Sequence, residues 1–288
     1  MGARALLVTR PGPLTTVQDL GRVGVAHLGV PRAGALDPPS HRAANRLVGN
    51  GPDAATLETT LGGVAVRADG GALLVAVAGA PCAVRLDGRP AAWGQAVLVP
   101  EGATLDVGPA DVGVRSYLAV RGGVAVPPVL GSRSADLLAG LGPAPLRAGD
   151  RLAVGTEHGA PGAELVPLPA PPAELLLRLR PGPRADWFAP DTLALLPRCR
   201  YRVAAASNRI ALRTEGPALI RAVAGELESE GMVLGAVQVP PDGRPVVFLA
   251  DHPTTGGYPV LGVVAAADLP AAAQARPGTP LRFTVLRG

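Results

Sequence analysis

The tightest restriction on the fold comes from how the apolar residues are interrupted. Short runs of Val, Leu and Ala recur along the chain, and 38 glycines and 32 prolines in 288 residues break them up. Helix interiors exclude proline and are weakened by glycine, whereas short strands joined by tight turns use both. Strand-like segments lie at 72–81 (ALLVAVAGAP), 96–100, 116–126 and 150–155, and again at 174–182, 200–206, 209–216, 235–240, 244–251 and 280–286. Several alternate apolar and polar residues with period two, as half-buried antiparallel strands do. Ser207-Asn208 marks the tip of a hairpin spanning 200–216, because asparagine tolerates the left-handed backbone of a tight turn.

Predicted helices are few and short. Asp37 is placed to cap a helix that opens with Pro38 and stops at Gly49-Asn50, and Asp268 to cap a second that stops at Pro277. Residues 161–173, rich in Pro, Ala and Gly and without periodicity, read as a linker between an N-terminal half, 1–160, and a C-terminal half, 174–288. The halves echo one another in order: RPGP at 10–13 and 180–183, GQAVLVPEG at 94–102 and GAVQVPPDG at 235–243, AGDRLAVG at 148–155 and PGTPLRFTV at 277–285. These short matches leave a tandem duplication open. Many short strands in two units favour two closed β-barrels over one open sheet, since closure removes sheet edges. The expected fold is mostly β: two tandem barrel units with few short helices.

Composition then removes whole classes of function. All 27 basic residues are arginine, and the formal net charge is +4. Without lysine there is no P-loop NTPase motif, no Schiff base to a carbonyl, no covalently attached biotin and no amidase of the Ser-Ser-Lys type. The arginines are scattered singly, with no basic block and no interleaved aromatics, which argues against a nucleic-acid face. Cys82 and Cys199 have no Cys or His at ligand spacing, so no metal site is expected. No run of 18 apolar residues is present, and MGARALLVTRPGP lacks the apolar core of a signal peptide. The expectation is a cytoplasmic protein without a membrane partner.

Polar chemistry concentrates in two stretches. FLADHPTTGGYPVLGVV (248–264) begins and ends as a strand but holds Asp251, His252, Thr254, Thr255, Gly256, Gly257 and Tyr258 between, more than a hairpin turn needs. Gly256 and Gly257 let the backbone turn sharply and offer successive N–H groups to an anion. Thr254 and Thr255 add hydroxyls, Tyr258 a ring and an OH, and Asp251 a carboxylate at a strand end. The plain structural alternative is a turn in which Asp251 accepts backbone N–H bonds and Tyr258 packs. Residues 12–50 carry Thr15, Thr16, Gln18, Asp19, Arg22, His27, Arg32, Asp37, His41, Arg42, Asn45 and Asn50 with little strand pattern, as a long ordered loop or a site would. Here too each residue has a structural alternative: Asp37 as helix cap, Asp19 paired with Arg22, Gln18 and Asn45 as braces. Gln238 is a lone amide on an apolar strand, with a bond to an edge carbonyl as its alternative. GSRSADLLAG (131–140) does not fit the nucleophile elbow of serine hydrolases.

Taken together, GPLTTVQDLGRVG, GVPRAGALD, AANRLVGN, Leu57-Glu58, SNRIALRTEGP, SEGMVLGAVQVPPDGRPVVFLAD and TTGGYPVLGVV resemble one family, in its order and across nearly the whole chain. That family is named variously as the C-type subunit of 5-oxoprolinase, as allophanate hydrolase subunit 2 and as biotin-dependent carboxyltransferase. The resemblance implies a cyclophilin-like β-barrel architecture. It implies two partners, the B-type 5-oxoprolinase subunit and the ring-opening A-type one, in a complex that converts 5-oxo-L-proline to L-glutamate at the expense of ATP. Relatives carry the biotin-dependent carboxyltransferase step of urea carboxylase, and another antagonises an inhibitor of a histidine kinase. At the position of His252-Pro253 the family more usually carries a polar pair. The proline stiffens this loop, and the imidazole is of the kind that titrates near neutral pH.

The site expected from these residues has 251–258 as one wall of a pocket and 12–45 as the other. Glycine-turn amides at Gly256 and Gly257, with Arg22 or Arg209, hold the carboxylate of a small lactam. Gln238 reads the lactam amide, and Asp251 or Asp37 acts as base or orienting group. Tyr258, Thr254, Thr255 and Gln18 complete the set. ATP with Mg²⁺ has to bind without lysine, through arginine and backbone amides or on the partner subunit. Three functions stay open, in this order: a component of ATP-dependent 5-oxoprolinase that is inactive alone; a carboxyltransferase component served by a biotin carrier on another protein; and a non-catalytic regulator that binds a kinase-inhibitor-like protein.

Overall fold

The computed structural model describes residues 3–162, 165–167, 172–223, 225 and 227–286. They fall into two compact units: unit 1 is Met1–Arg22, Ala33–Asp136 and Gly140–Pro171, and unit 2 is Val23–Arg32, Leu137–Ala139 and Pro172–Gly288. Of the linker expected at 161–173, residues 163, 164 and 168–171 lie outside the described residues.

Unit 1 holds strands β1 (Ala5–Arg10), β2 (Thr15–Gln18), β3 (Thr56–Thr60), β4 (Val64–Asp69), β5 (Leu73–Gly79), β6 (Cys82–Leu86), β7 (Arg89–Ala91), β8 (Ala96–Val99), β9 (Thr104–Ala110), β10 (Arg115–Val120) and β11 (Arg151–Ala153), with helix α1 (Pro38–Leu47) between β2 and β3. One sheet runs β11-β1-β4-β9-β6-β7 and a second β2-β3-β10-β5-β8, with antiparallel pairing throughout. Leu6, Val8, Val64, Val66, Leu105 and Val107 of the first sheet meet Leu57, Val75, Val77, Leu118 and Val120 of the second in one core. Each fully buried Val or Leu contributes roughly 1.5–3 kcal/mol to such a core. The alternate residues of β5 and β10, Ala76, Ala78, Tyr117 and Ala119, pack under Ala43, Ala44 and Leu47 of α1. The second sheet is therefore buried on both faces, which explains why LLVAVAG reads as a continuous apolar run rather than an alternating one.

Helix α1 begins and ends as its sequence predicts. Asp37 caps it, accepting Ser40 N–H at 3.1 Å and the Ser40 hydroxyl at 2.7 Å. Gly49 takes the left-handed conformation (φ 77°) just past its end.

Unit 2 holds β12 (Leu175–Pro181), helix α2 (Thr192–Leu195), β13 (Tyr201–Val203), β14 (Ala211–Glu215), β15 (Glu230–Gly231), β16 (Ala236–Gln238), β17 (Val246–Phe248), β18 (Thr255–Gly256), β19 (Val260–Val264), helix α3 (Leu269–Gln274) and β20 (Pro280–Val285). Seven strands close into a barrel in the order β12-β19-β16-β17-β14-β13-β20, and β20 runs parallel to β12 to complete the ring. Ala211, Ala236, Val246, Phe248 and Val260 cluster with Met232 in the barrel, and the Tyr201 and Phe283 rings meet edge to face at 5.7 Å. β15 and β18 form a separate two-stranded ribbon.

Three local expectations are revised. Thr15–Gln18, expected within a long loop, is a fully buried strand paired with β3; its hydroxyls are satisfied internally, Thr15 bonding the Pro11 carbonyl at 2.6 Å and the Thr59 hydroxyl at 2.9 Å. Asn208 does turn the 200–216 hairpin, but its φ is not positive. Its side chain does the turning, accepting the N–H groups of Ile210 and Ala211 at 2.8 and 3.2 Å. Asp268 does not cap α3, because its carboxylate is taken by the Arg178 backbone N–H at 2.8 Å and the Arg178 guanidinium.

Candidate functional site

In unit 1 the polar N-terminal strip folds onto a stretch 107 to 117 residues away. The Asp19 carboxylate accepts the hydroxyls of Ser132 and Ser134, both at 2.5 Å, the backbone N–H of Arg133 at 2.6 Å and that of Gly21 at 2.8 Å. Burial alone would raise this carboxyl, but those donors outweigh burial and hold it below the ordinary Asp value. The expected Asp19–Arg22 pair does not form. Arg22, 2% exposed, donates to the carbonyls of Val129 at 3.1 Å and Ser134 at 2.6 Å, and its Nη1 has no partner. Gln18 Nε2 donates to Thr16 Oγ1 and the Ala135 carbonyl, both at 3.0 Å, while its Oε1 is buried without a partner. Arg22 and Gln18, two of the expected binding residues, thus grip adjacent carbonyls of one short segment.

Asp37 belongs to a second buried network of unit 1. Glu58 accepts the Leu36 N–H at 2.9 Å and the Tyr117 hydroxyl at 2.7 Å, and Tyr117 Oη in turn accepts the Asp37 N–H at 2.8 Å. Burial, then the carboxylates of Glu58 and Asp37, pushes the Tyr117 phenol far above its ordinary value, so it stays protonated. A third network runs through His41, whose Nδ1 lies 2.9 Å from Thr56 Oγ1 and whose Nε2 lies 3.3 Å from Asn45 Nδ2. Burial pushes the His41 pKa down to about 4. Asn45 braces the loop as expected, bonding the Ala54 carbonyl at 2.8 Å.

In unit 2 the loop 251–258 is tied down at both ends. Asp251 and Arg209 form a two-pronged ion pair, Nε to Oδ2 at 2.9 Å and Nη2 to Oδ1 at 2.8 Å, with side chains 0% and 1% exposed. The Leu137 N–H lies 3.4 Å from Asp251 Oδ2. His252, 6% exposed, directs Nδ1 to the Pro253 carbonyl at 2.7 Å. The Thr254 hydroxyl lies 3.4 Å from the Gly29 carbonyl, so part of the polar N-terminal strip does meet this loop within unit 2. Thr255 and Gly256 pair with Gly231 and Glu230, and Arg184 holds Glu230 from the other side.

The two glycines do not make the turn foreseen for them. Neither has positive φ, so the left-handed residue that an amide concavity needs is absent. Gly256 serves close approach instead. A Cβ there would lie 2.7 Å from Gln238 Nε2, and that nitrogen donates to the Tyr258 carbonyl at 3.1 Å. Gln238 and Tyr258 are thus brought together through the Tyr258 backbone, and the Tyr258 side chain is 39% exposed.

Sequence reading missed Ser132, Ser134 and Tyr117. The two serines sit two apart, but nothing local marks Asp19 as their partner; Tyr117 looks like an ordinary strand residue. Among the described residues no three His, Cys, Asp or Glu side chains are grouped to hold a metal ion, and no helix is long and apolar enough to cross a membrane.

Comparison with known proteins fits this architecture. The chain is 39% identical to the C-type 5-oxoprolinase subunit of Escherichia coli (strain K12), over 96% of this chain and 90% of that one. It superposes on the Kluyveromyces lactis urea carboxylase structure with a TM-score of 0.91 at 30% identity, covering 98% of this chain but 27% of that one. A further solved chain, 42% identical with a TM-score of 0.89, is spanned over 56% of its length. Residues 28–285 match the family described as carboxyltransferase domain, subdomain A and B. On this match and these identities, the chain belongs to the carboxyltransferase domain, subdomain A and B, family.

Proposed function

We propose that the chain is the C-type component of an ATP-dependent 5-oxoprolinase, a hydrolase of the lactam C–N bond that turns 5-oxo-L-proline into L-glutamate together with a B-type partner and a ring-opening A-type partner. The observation that carries this reading is the extent of the correspondence. The chain covers 90% of the E. coli protein, but only 27% of the urea carboxylase. A match to nearly the whole of one component of a complex supports that component's role.

The side chains lend themselves to this substrate. 5-Oxoproline presents a carboxylate, a lactam carbonyl and an N–H. Arg22 is a buried cation whose partners are carbonyls, and a buried charge without a counter-charge is costly. A ligand carboxylate would supply that counter-charge to Nη1, which is enclosed and without a partner, so Arg22 has to be uncovered for it to bind; Gln18 is its neighbour on the same segment. In unit 2 both Asp251 oxygens are held by Arg209, which suits an orienting group rather than a base; in unit 1 both Asp37 oxygens are likewise held, by the Ser40 N–H and hydroxyl, which suits a helix cap. Unit 2 by itself offers amide-reading groups in Gln238, Tyr258, Thr254, Thr255, Gly256 and Gly257.

There is no lysine, and α1, the longest described helix, has its N-terminus closed by the Asp37 carboxylate, which repels a phosphate. We therefore assign ATP and Mg²⁺ to the partner. A second reading, carboxyl transfer, is favoured by the family match; its biotin would ride on another protein. The test is to capture this chain with its co-purifying partners and assay ADP release. ADP formed only with 5-oxoproline, accompanied by glutamate, supports the proposal. A co-purifying biotinylated protein, detected with streptavidin, and no response to 5-oxoproline would reject it in favour of the second reading.

A further inference from the structure

We infer that Gln238 is a one-sided specificity determinant: it presents its side-chain carbonyl, and nothing else, to a ligand N–H of the kind that a lactam or urea carries and a lactone or ester lacks. The inference rests on the reading above that the ligand is such an amide.

Gln238 closes strand β16 between Val237 and Val239, both fully buried, and is itself 6% exposed. A strand this apolar has no packing use for a carboxamide. The Nε2 group donates to the Tyr258 carbonyl at 3.1 Å and lies 4.0 Å from Met232 Sδ. A backbone carbonyl only accepts, so it fixes which way the amide faces: nitrogen toward Tyr258, oxygen away. Oε1 takes no hydrogen bond from the described residues, yet it is not among their buried unpartnered atoms. It therefore keeps accessible surface at the end of a side chain otherwise enclosed. With both N–H bonds directed inward, Gln238 can accept from a ligand but cannot donate to one. Gly256 protects this arrangement, since any Cβ there would displace Nε2 and press on Met232, whose Cγ and Sδ would be 3.3 and 3.4 Å away.

The experiment measures binding of 5-oxo-L-proline and of its lactone analogue, in which ring oxygen replaces N–H, to the full chain by calorimetry. The wild type is expected to prefer the lactam by about tenfold, the size of one neutral hydrogen bond. Gln238→Met removes the acceptor. Gly256→Ala keeps Gln238 but pushes its amide off the Tyr258 carbonyl, a move a flexible side chain makes without unfolding. Both variants should melt cooperatively and bind the two compounds alike. Equal binding of both compounds by the wild type, or a preference that survives in both variants, overturns the inference and leaves the lactam reading standing. Failure of the wild type to bind either compound overturns the lactam reading and the inference with it.

Discussion

Among the described residues unit 1 buries Arg22 and Arg115 and unit 2 buries Arg209; Arg115 lies against Glu58, and the two most deeply buried, Arg22 and Arg209, are treated in opposite ways. Arg209 in unit 2 meets Asp251 through two parallel bonds, both side chains out of water. Arg22 in unit 1 is as deeply buried but meets two backbone carbonyls; the nearby Asp19 is engaged by serine hydroxyls and backbone amides instead. A paired buried charge has done its work once the protein is folded. A buried cation with neutral partners retains an unspent attraction for an anion, and this marks Arg22 as the more promising ligand-binding group of the two.

The contrast can be broken most forcefully at Asp251. Asp251→Asn strands the Arg209 charge and should destabilise the protein by about 3–5 kcal/mol in urea melts, whereas replacing both partners with apolar residues of similar volume should recover most of that loss. The next largest effect is on pH. Burial outweighs the nearby Asp19 and Glu58 carboxylates and brings the His41 pKa down to about 4 against an ordinary 6.5. The unfolded chain takes up its proton first, so stability is full above pH 6.5 and falls as the pH drops toward 4, by about 3 kcal/mol from this residue. Denaturant titrations across that window should show the slope, and His41→Gln should flatten it. The smallest stability effect belongs to Arg22→Met, about 1 kcal/mol for carbonyls left without a donor, with binding of 5-oxoproline lost. A loss as large as that of Asp251→Asn would erase the distinction between the two arginines.

What was legible in the sequence is what depends on near neighbours. Asp37, Pro38 and Gly49 gave the bounds of α1 because capping is decided within one turn. The apolar runs gave the strands because burial on a sheet face has a short period. The echo of GQAVLVPEG in GAVQVPPDG is not carried into topology: β8 is the edge of an open sheet, while β16 sits between two strands of the closed barrel. Local similarity does not encode neighbours. The candidate residues were recognised as a set, but their roles were not. Whether Asp251 is a base or an anchor depends on Arg209, 42 residues away, and Asp19 is decided by serines 113 and 115 residues away. Polar strand β2 was hidden because Thr15 meets its hydroxyl partner, Thr59, only after β3 arrives.

The ring of unit 2 is completed by β20, which bonds to β12 on one side and β13 on the other. During translation, then, nearly the entire barrel is made before Pro280–Val285 exists to seal it. Until that strand is added, β12 and β13 each keep one edge without its ladder partner.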